Sequence, residues 1–141
     1  MQEPQTSRLG NRPERQLPDR LRAVGPGWHP LLMRLHEELL AREPGYRVDD
    51  LKEKLGGVRV QVTGVSGGLS TEVRALVAAA EAQSAVTCEF CGAPGRRRPR
   101  GDGAAGWLKT VCDSCHAAWI RHAIMIVNGV VRRREPEGGE R

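Results

Sequence analysis

Aromatic side chains are scarce in this chain of 141 residues, with three Trp, one Tyr and one Phe making up 4% of the total. A core with so few rings must rest on aliphatic residues, and a chain of this length buries only a modest fraction of its surface. Long hydrophobic runs are missing too. Residues 1–24 contain no continuous apolar segment of the signal-peptide type, and the apolar stretch at residues 123–127 is too short to cross a bilayer. The expectation is a soluble, cytoplasmic protein with no membrane partner. Lysine is nearly absent, at three residues against nineteen arginines. Cysteine beyond four residues is absent altogether, which removes any extensive disulfide framework.

The four cysteines that do occur stand as two pairs, Cys88-x-x-Cys91 and Cys112-x-x-Cys115. Two thiolates two residues apart face one metal from a single tight turn. Two such turns supply the closed tetrahedral shell of a structural zinc site. In a reducing compartment thiols stay free for metal, which favours this reading over disulfides or a redox dithiol. The expected cofactor is one zinc ion on Cys88, Cys91, Cys112 and Cys115; iron suits four thiolates equally well. Gly92 directly after Cys91 fits the positive φ that a metal knuckle requires. His116 adjoins Cys115 and is a poor additional ligand, because neighbouring residues rarely serve one small ion well. His29, His36 and His122 read as surface or core-edge residues.

Around that site the chain divides into four segments. Residues 1–26, with four prolines and five arginines, read as a disordered basic arm. Residues 27–86 read as a small α/β domain, 87–131 as a zinc-binding module, and 132–141 as a basic flexible tail. Within the α/β domain, Trp28, Leu31, Leu32, Leu35, Leu39 and Leu40 recur at helical spacing, and Pro44-Gly45 stops the helix. Val58, Val60 and Val62 alternate as one face of a strand, so residues 46–55 are its antiparallel partner across a glycine turn at Gly56-Gly57. Ser70 or Thr71 caps a second helix carrying Val73, Leu76, Val77 and Ala80. The fold class is therefore α+β, with two helices on a short antiparallel sheet followed by a treble-clef or zinc-ribbon-like module. In that module residues 107–111 read as a strand, and Asp113 or Ser114 starts a helix carrying residues 115–127. Asn128-Gly129 either caps that helix or turns a hairpin, and the helical pattern before it favours the cap.

Taken as a set, Gly27-Trp28, Lys52-Glu53-Lys54-Leu55-Gly56-Gly57-Val58-Arg59, Glu81-x-x-Ser84, Thr87-Cys88-Glu89-x-Cys91-Gly92 and Gly106-Trp107-x-x-Thr110-x-Cys112-Asp113-x-Cys115 resemble a group of small, mostly uncharacterised bacterial and phage proteins. Members of that group show Lys-Glu-Lys-Phe-Gly followed by Leu-Arg, where this chain has Leu55 and Val58. The resemblance covers about residues 27–119. It implies the same domain plan and a C-terminal four-cysteine zinc module, and it implies no activity.

Charge points to a partner. The net +5 is distributed as +2 over residues 1–26, −1 over 27–87 and +4 over 88–141. Positive charge gathered beside a metal module suits a polyanion. Arg96, Arg97, Arg98 and Arg100, with Lys109, form a candidate phosphate clamp, because arginine forks pair bidentately with phosphate oxygens. Trp107 and Phe90 are candidate stacking partners. Arg132, Arg133 and Arg134 extend the patch. No catalytic constellation is expected. Gly64-Val65-Ser66-Gly67-Gly68 matches a nucleophile elbow, but the chain lacks the large parallel sheet that would hold a histidine and acid behind Ser66. A treble-clef nuclease would need a second metal cluster, and Asp102, Asp113, His116 and Asn128 form no recognisable set. The expected function is non-catalytic binding of DNA or RNA, with no small-molecule substrate. The alternative is a protein-interaction adaptor or phage-derived accessory factor docking through the leucine-rich first helix or residues 124–131.

Overall fold

The computed structural model describes residues 15–65, 68–101 and 107–134. Among the described residues the architecture is mixed: three α-helices and three separate two-stranded antiparallel ladders, with the four cysteines gathered in the C-terminal region. Ser66 and Gly67, Asp102 and the rest of residues 102–106, and residues 1–14 and 135–141 of the expected arm and tail lie outside the described residues.

Strands β1 (Arg47–Lys54) and β2 (Gly57–Thr63) form the first ladder. Val58 and Val60 are buried on one face of β2, as their alternation requires. On β1 the buried residues are Val48 and Leu51, three apart rather than two. A register shift between Val48 and Asp50 accounts for this, since an extra residue in one strand brings both side chains to the same face. The connection is not quite at Gly56-Gly57. It is Leu55-Gly56, with φ of 54° and 87°, while Gly57 already pairs with Lys54. Two consecutive positive φ values are what a two-residue hairpin turn with right-handed strand twist demands.

Helices α1 (His29–Arg42) and α2 (Thr71–Ser84) cover that ladder. Leu31, Leu32, Leu35 and Leu39 of α1 and Val73 and Ala80 of α2 join Val48, Leu51, Val58 and Val60 in one core. The leucine-rich face of α1 is therefore internal and offers no docking surface. Ser70 caps α2, its Oγ accepting from Val73 N–H at 3.1 Å. At the other end Ser84 Oγ accepts from Val58 N–H at 2.9 Å, and Glu81 Oε2 accepts from Val60 N–H at 3.0 Å. These two side chains satisfy the outward edge of β2, which has no further strand to pair with.

Within the arm expected to be disordered, the described residues 15–26 are folded against the core. Leu17–Ala23 form a 3-10 turn and Pro26–Trp28 a second one, and Leu17, Val24 and Trp28 are fully buried in the core. Composition misled here because a few apolar residues suffice when each finds a pocket. Leu17 N–H donates to Tyr46 Oη at 3.0 Å, which in turn donates to His36 Nδ1 at 2.7 Å. Burial pushes the Tyr46 phenol up to about 12, so it stays a donor. Arg20 reaches the carbonyl of Val48 at 3.1 Å and ties the same segment to β1.

In the C-terminal region β3 (Arg96–Pro99) pairs with β4 (Leu108–Val111), and β5 (Ile124–Val127) pairs with β6 (Val130–Arg133). Helix α3 spans only Asp113–Ile120. The expected helix to Val127 is a helix, a break at His122 with φ of 62°, and then a hairpin turning at Asn128-Gly129, both of which have positive φ. The cap reading of Asn128-Gly129 is thus corrected. The β-branched Ile126 and Val127 find cross-strand partners in Val131 and Val130, and Asn-Gly is the preferred pair for such a turn. The tail likewise begins later than expected, since Arg132 and Arg133 are in β6.

Candidate metal centre

The first cysteine pair lies in a tight turn. Gly92 N–H donates to Cys88 O at 2.9 Å, Cys88 N–H to Ala93 O at 2.7 Å, and Ala93 N–H to Cys91 Sγ at 3.5 Å. Gly92 has φ of 87°, as the sequence led us to expect. The second pair opens α3. Cys112 is the N-cap, its Sγ accepting from Cys115 N–H at 3.4 Å, so both sulfurs sit at the positive end of a helix.

All four Sγ atoms lie within 4.8 Å of one another. Four sulfurs at the usual zinc distance of about 2.3 Å define a tetrahedron with edges of about 3.8 Å, and Cys91 Sγ to Cys112 Sγ is 3.7 Å. The cluster thus has the donor set and size to hold one metal ion. Without an ion the thiols differ. Burial pushes Cys112 up, but the Cys115 amide, the Ser114 hydroxyl and the neighbouring thiols outweigh it and bring it down to about 6. Burial raises Cys91 and, more strongly, Cys115, and neighbouring thiols add to the effect.

His116 is turned away from the sulfurs. Its Nδ1 accepts from Arg98 Nη1 at 3.3 Å and its Nε2–H donates to Pro99 O at 3.1 Å, which assigns the tautomer. Arg98 also bonds Asp113 Oδ1 at 2.5 Å, and this hydrogen bond holds the Asp113 carboxyl below the usual carboxylate range. The trio staples β3 to the start of α3. With only 14% of its side chain exposed, Arg98 is an internal brace rather than a projecting cation.

Sequence reasoning missed the most connected residue of this region, Glu89. Its side chain is 2% exposed, and its Oε1 lies 2.9 Å from Lys109 Nζ while Oε2 accepts from Gly25 N–H at 2.9 Å. Its backbone N–H donates to Thr110 O at 2.9 Å, and its carbonyl accepts from Gly27 N–H at 2.8 Å. One residue in the first metal turn therefore joins β4 to the segment preceding α1. Beside it, Trp28 Nε1–H donates to Thr87 O at 2.8 Å. A Cβ at Gly27 would lie 2.0 Å from Cys88 O and 2.5 Å from Gly92 N, so only glycine permits this approach. The sole local signal was a glutamate between two ligand cysteines, a place where a buried charge must have a partner.

The arginines thus fall into distinct environments. Arg96 and Arg97 are exposed on β3. Arg98 braces α3, and Lys109 is held by Glu89. The Arg100 guanidinium lies 5.4 Å from the Trp107 ring centroid and 5.7 Å from that of Trp119. Phe90 is buried, with Lys109 over its ring, and is a packing residue; Trp107 is 54% exposed. No helix among the described residues is long and apolar enough to cross a membrane. No family model matches this chain, and no curated protein or solved structure is detectably similar to it.

Proposed function

We propose that this is a non-catalytic, zinc-stabilised protein that binds nucleic acid through phosphate contacts from its C-terminal module. The knuckle, the β3–β4 hairpin and the N-terminus of α3 follow the order of a treble clef. In this reading the zinc ion, held by Cys88, Cys91, Cys112 and Cys115, cross-links that arrangement, and with four sulfur ligands it keeps no open position for chemistry. The observation that carries the reading is the exposure of Arg96 and Arg97, one on each face of a strand that starts four residues after the Cys91-Gly92 turn. A short antiparallel ladder anchored in the metal turn presents them at low conformational cost. Arg132 and Arg133 on β6 add charge to the same module. Lys109 and Arg98 belong inside the fold, so the phosphate set narrows to Arg96 and Arg97 with the β6 arginines.

An electrophoretic-mobility titration at two salt concentrations tests this. Replacing Arg96 and Arg97 by Ala is expected to weaken binding and to reduce the slope of log K against log salt by about 2, close to one for each lost phosphate contact. Unchanged affinity would reject the proposal, as would cleavage of nucleic acid that depends on added divalent metal.

A protein-interaction adaptor is favoured by a separate observation. Ile120, Met125 and Val130 of the C-terminal module are 40%, 44% and 55% exposed. A stoichiometric protein captured after nuclease treatment, and lost when Met125 and Val130 become Ser, would support that reading over the first.

A further inference from the structure

At the end of β3–β4 away from the cysteines, a cleft of about 360 Å³ opens between this hairpin, α3 and β5. Its walls include Arg100, Trp107, Trp119, His122, Met125 and Arg134, and among the described residues lining it there is no acid. The three tryptophans of the chain are not equivalent. Trp28 is wholly buried and Trp119 is 3% exposed, whereas Trp107 keeps 54% of its surface in water. Solvation of so large a ring is costly in a protein with so few aromatics to place. Nor is Trp107 loosely tethered. Its carbonyl accepts from Arg100 N–H at 3.2 Å, and the Arg100 guanidinium is within cation–π distance of both its ring and that of Trp119. Cation–π contact of this kind orients an indole while leaving its remaining surface open.

We infer that this cleft takes one unpaired base of a single-stranded nucleic acid, stacked on Trp107, with the adjoining phosphates on Arg134. The inference rests on the nucleic-acid reading above and specifies its ligand. Two features select the single strand. Bases in a duplex are stacked on each other and present no free face to a side chain, whereas every unpaired base offers a π-face to an indole. Among the described residues the charge of the cleft is complementary to a phosphate chain, since Arg134 is exposed beside Arg132 and Arg133. The stacking site and the Arg96–Arg97 pair lie toward opposite ends of β3. A strand contacting both would track along the hairpin.

The test is a fluorescence-anisotropy titration of the full chain with labelled oligothymidylate, oligouridylate of equal length, the matching duplex and an oligoglutamate peptide. Either single strand is expected to bind more tightly than the duplex; a preference between the two distinguishes DNA from RNA. Trp107→Ala is expected to weaken single-strand binding by roughly tenfold or more, with little change for the duplex and no change in salt slope, while Trp107→Phe retains most of the affinity. Single-strand affinity unaltered in Trp107→Ala but reduced in the Arg96/Arg97 double variant would overturn the stacking site and leave the phosphate reading standing. Absence of binding to every nucleic acid would overturn both. Oligoglutamate binding lost in Trp107→Ala, without oligonucleotide binding, would assign the cleft to an acidic protein instead.

Discussion

The two ends of this molecule are stabilised by different physics. The N-terminal layer buries fourteen apolar residues in one continuous cluster drawn from two helices, a ladder and the segment at Leu17 and Val24. The C-terminal module buries five, and one of those is the ligand Cys88. Hydrophobic burial alone supports the first. The second has two short ladders and an eight-residue helix, too little apolar surface to offset the entropy of ordering them. In the proposed reading a metal cross-link at the root of β3, β4 and α3 makes up the difference. On that reading the exposed arginines and Trp107 depend on the cysteines for their placement.

Removing the metal should separate the two regions most widely. Structural zinc contributes on the order of 10 kcal/mol to small domains, so chelation is expected to abolish amide protection in β3–β6 while α1 and α2 keep theirs, measured by hydrogen exchange. Burial and neighbouring thiols raise Cys91 and Cys115, which favours their protonated forms. Uptake of one ion should then release at least two protons, readable by calorimetry in buffers of differing ionisation enthalpy, and affinity should fall as pH falls. Leu32→Ala acts on the other side of the comparison. It opens a cavity in the N-terminal core and is expected to cost about 4 kcal/mol in denaturant melts, with metal affinity unchanged.

Glu89→Ala attacks the junction. It strands Lys109 and the Gly25 N–H, and a loss of about 3 kcal/mol is expected, together with a thermal transition that splits in two. A single transition would mean that the two regions are coupled by something other than this clasp. The smallest effect is local. Leu55 holds φ of 54° at the tip of β1–β2 with 49% of its surface exposed, so Leu55→Asn is expected to stabilise the N-terminal layer by about 0.5–1 kcal/mol and leave the module unaffected.

What could be read from the sequence were the features whose partners are close along the chain. The spacing of the cysteines, the alternation of Val58 and Val60, the Ser70 cap and the left-handed Gly92 all depend on neighbours within a few residues. The misreadings have distant causes. Leu17 and Val24 looked too sparse to order a segment, because Tyr46 and the rest of their pocket lie well downstream. Glu89 meets Gly25 across 64 residues, and Trp28 meets Thr87 across 59. Arg98 and Lys109 looked identical in kind to Arg96 and Arg97; only the fold shows which pair is turned inward. Asn128-Gly129 failed for another reason, since a short apolar run satisfies helix and strand patterns alike and the pairing of Ile126 with Val131 decides between them.

X-ray absorption at the metal edge of the purified protein tests the central claim most directly. One zinc ion per chain with four sulfur neighbours at about 2.3 Å is expected, reduced to three sulfurs in Cys112→Ser. A sub-stoichiometric metal content, or a shell containing nitrogen or oxygen in the unaltered protein, would contradict it.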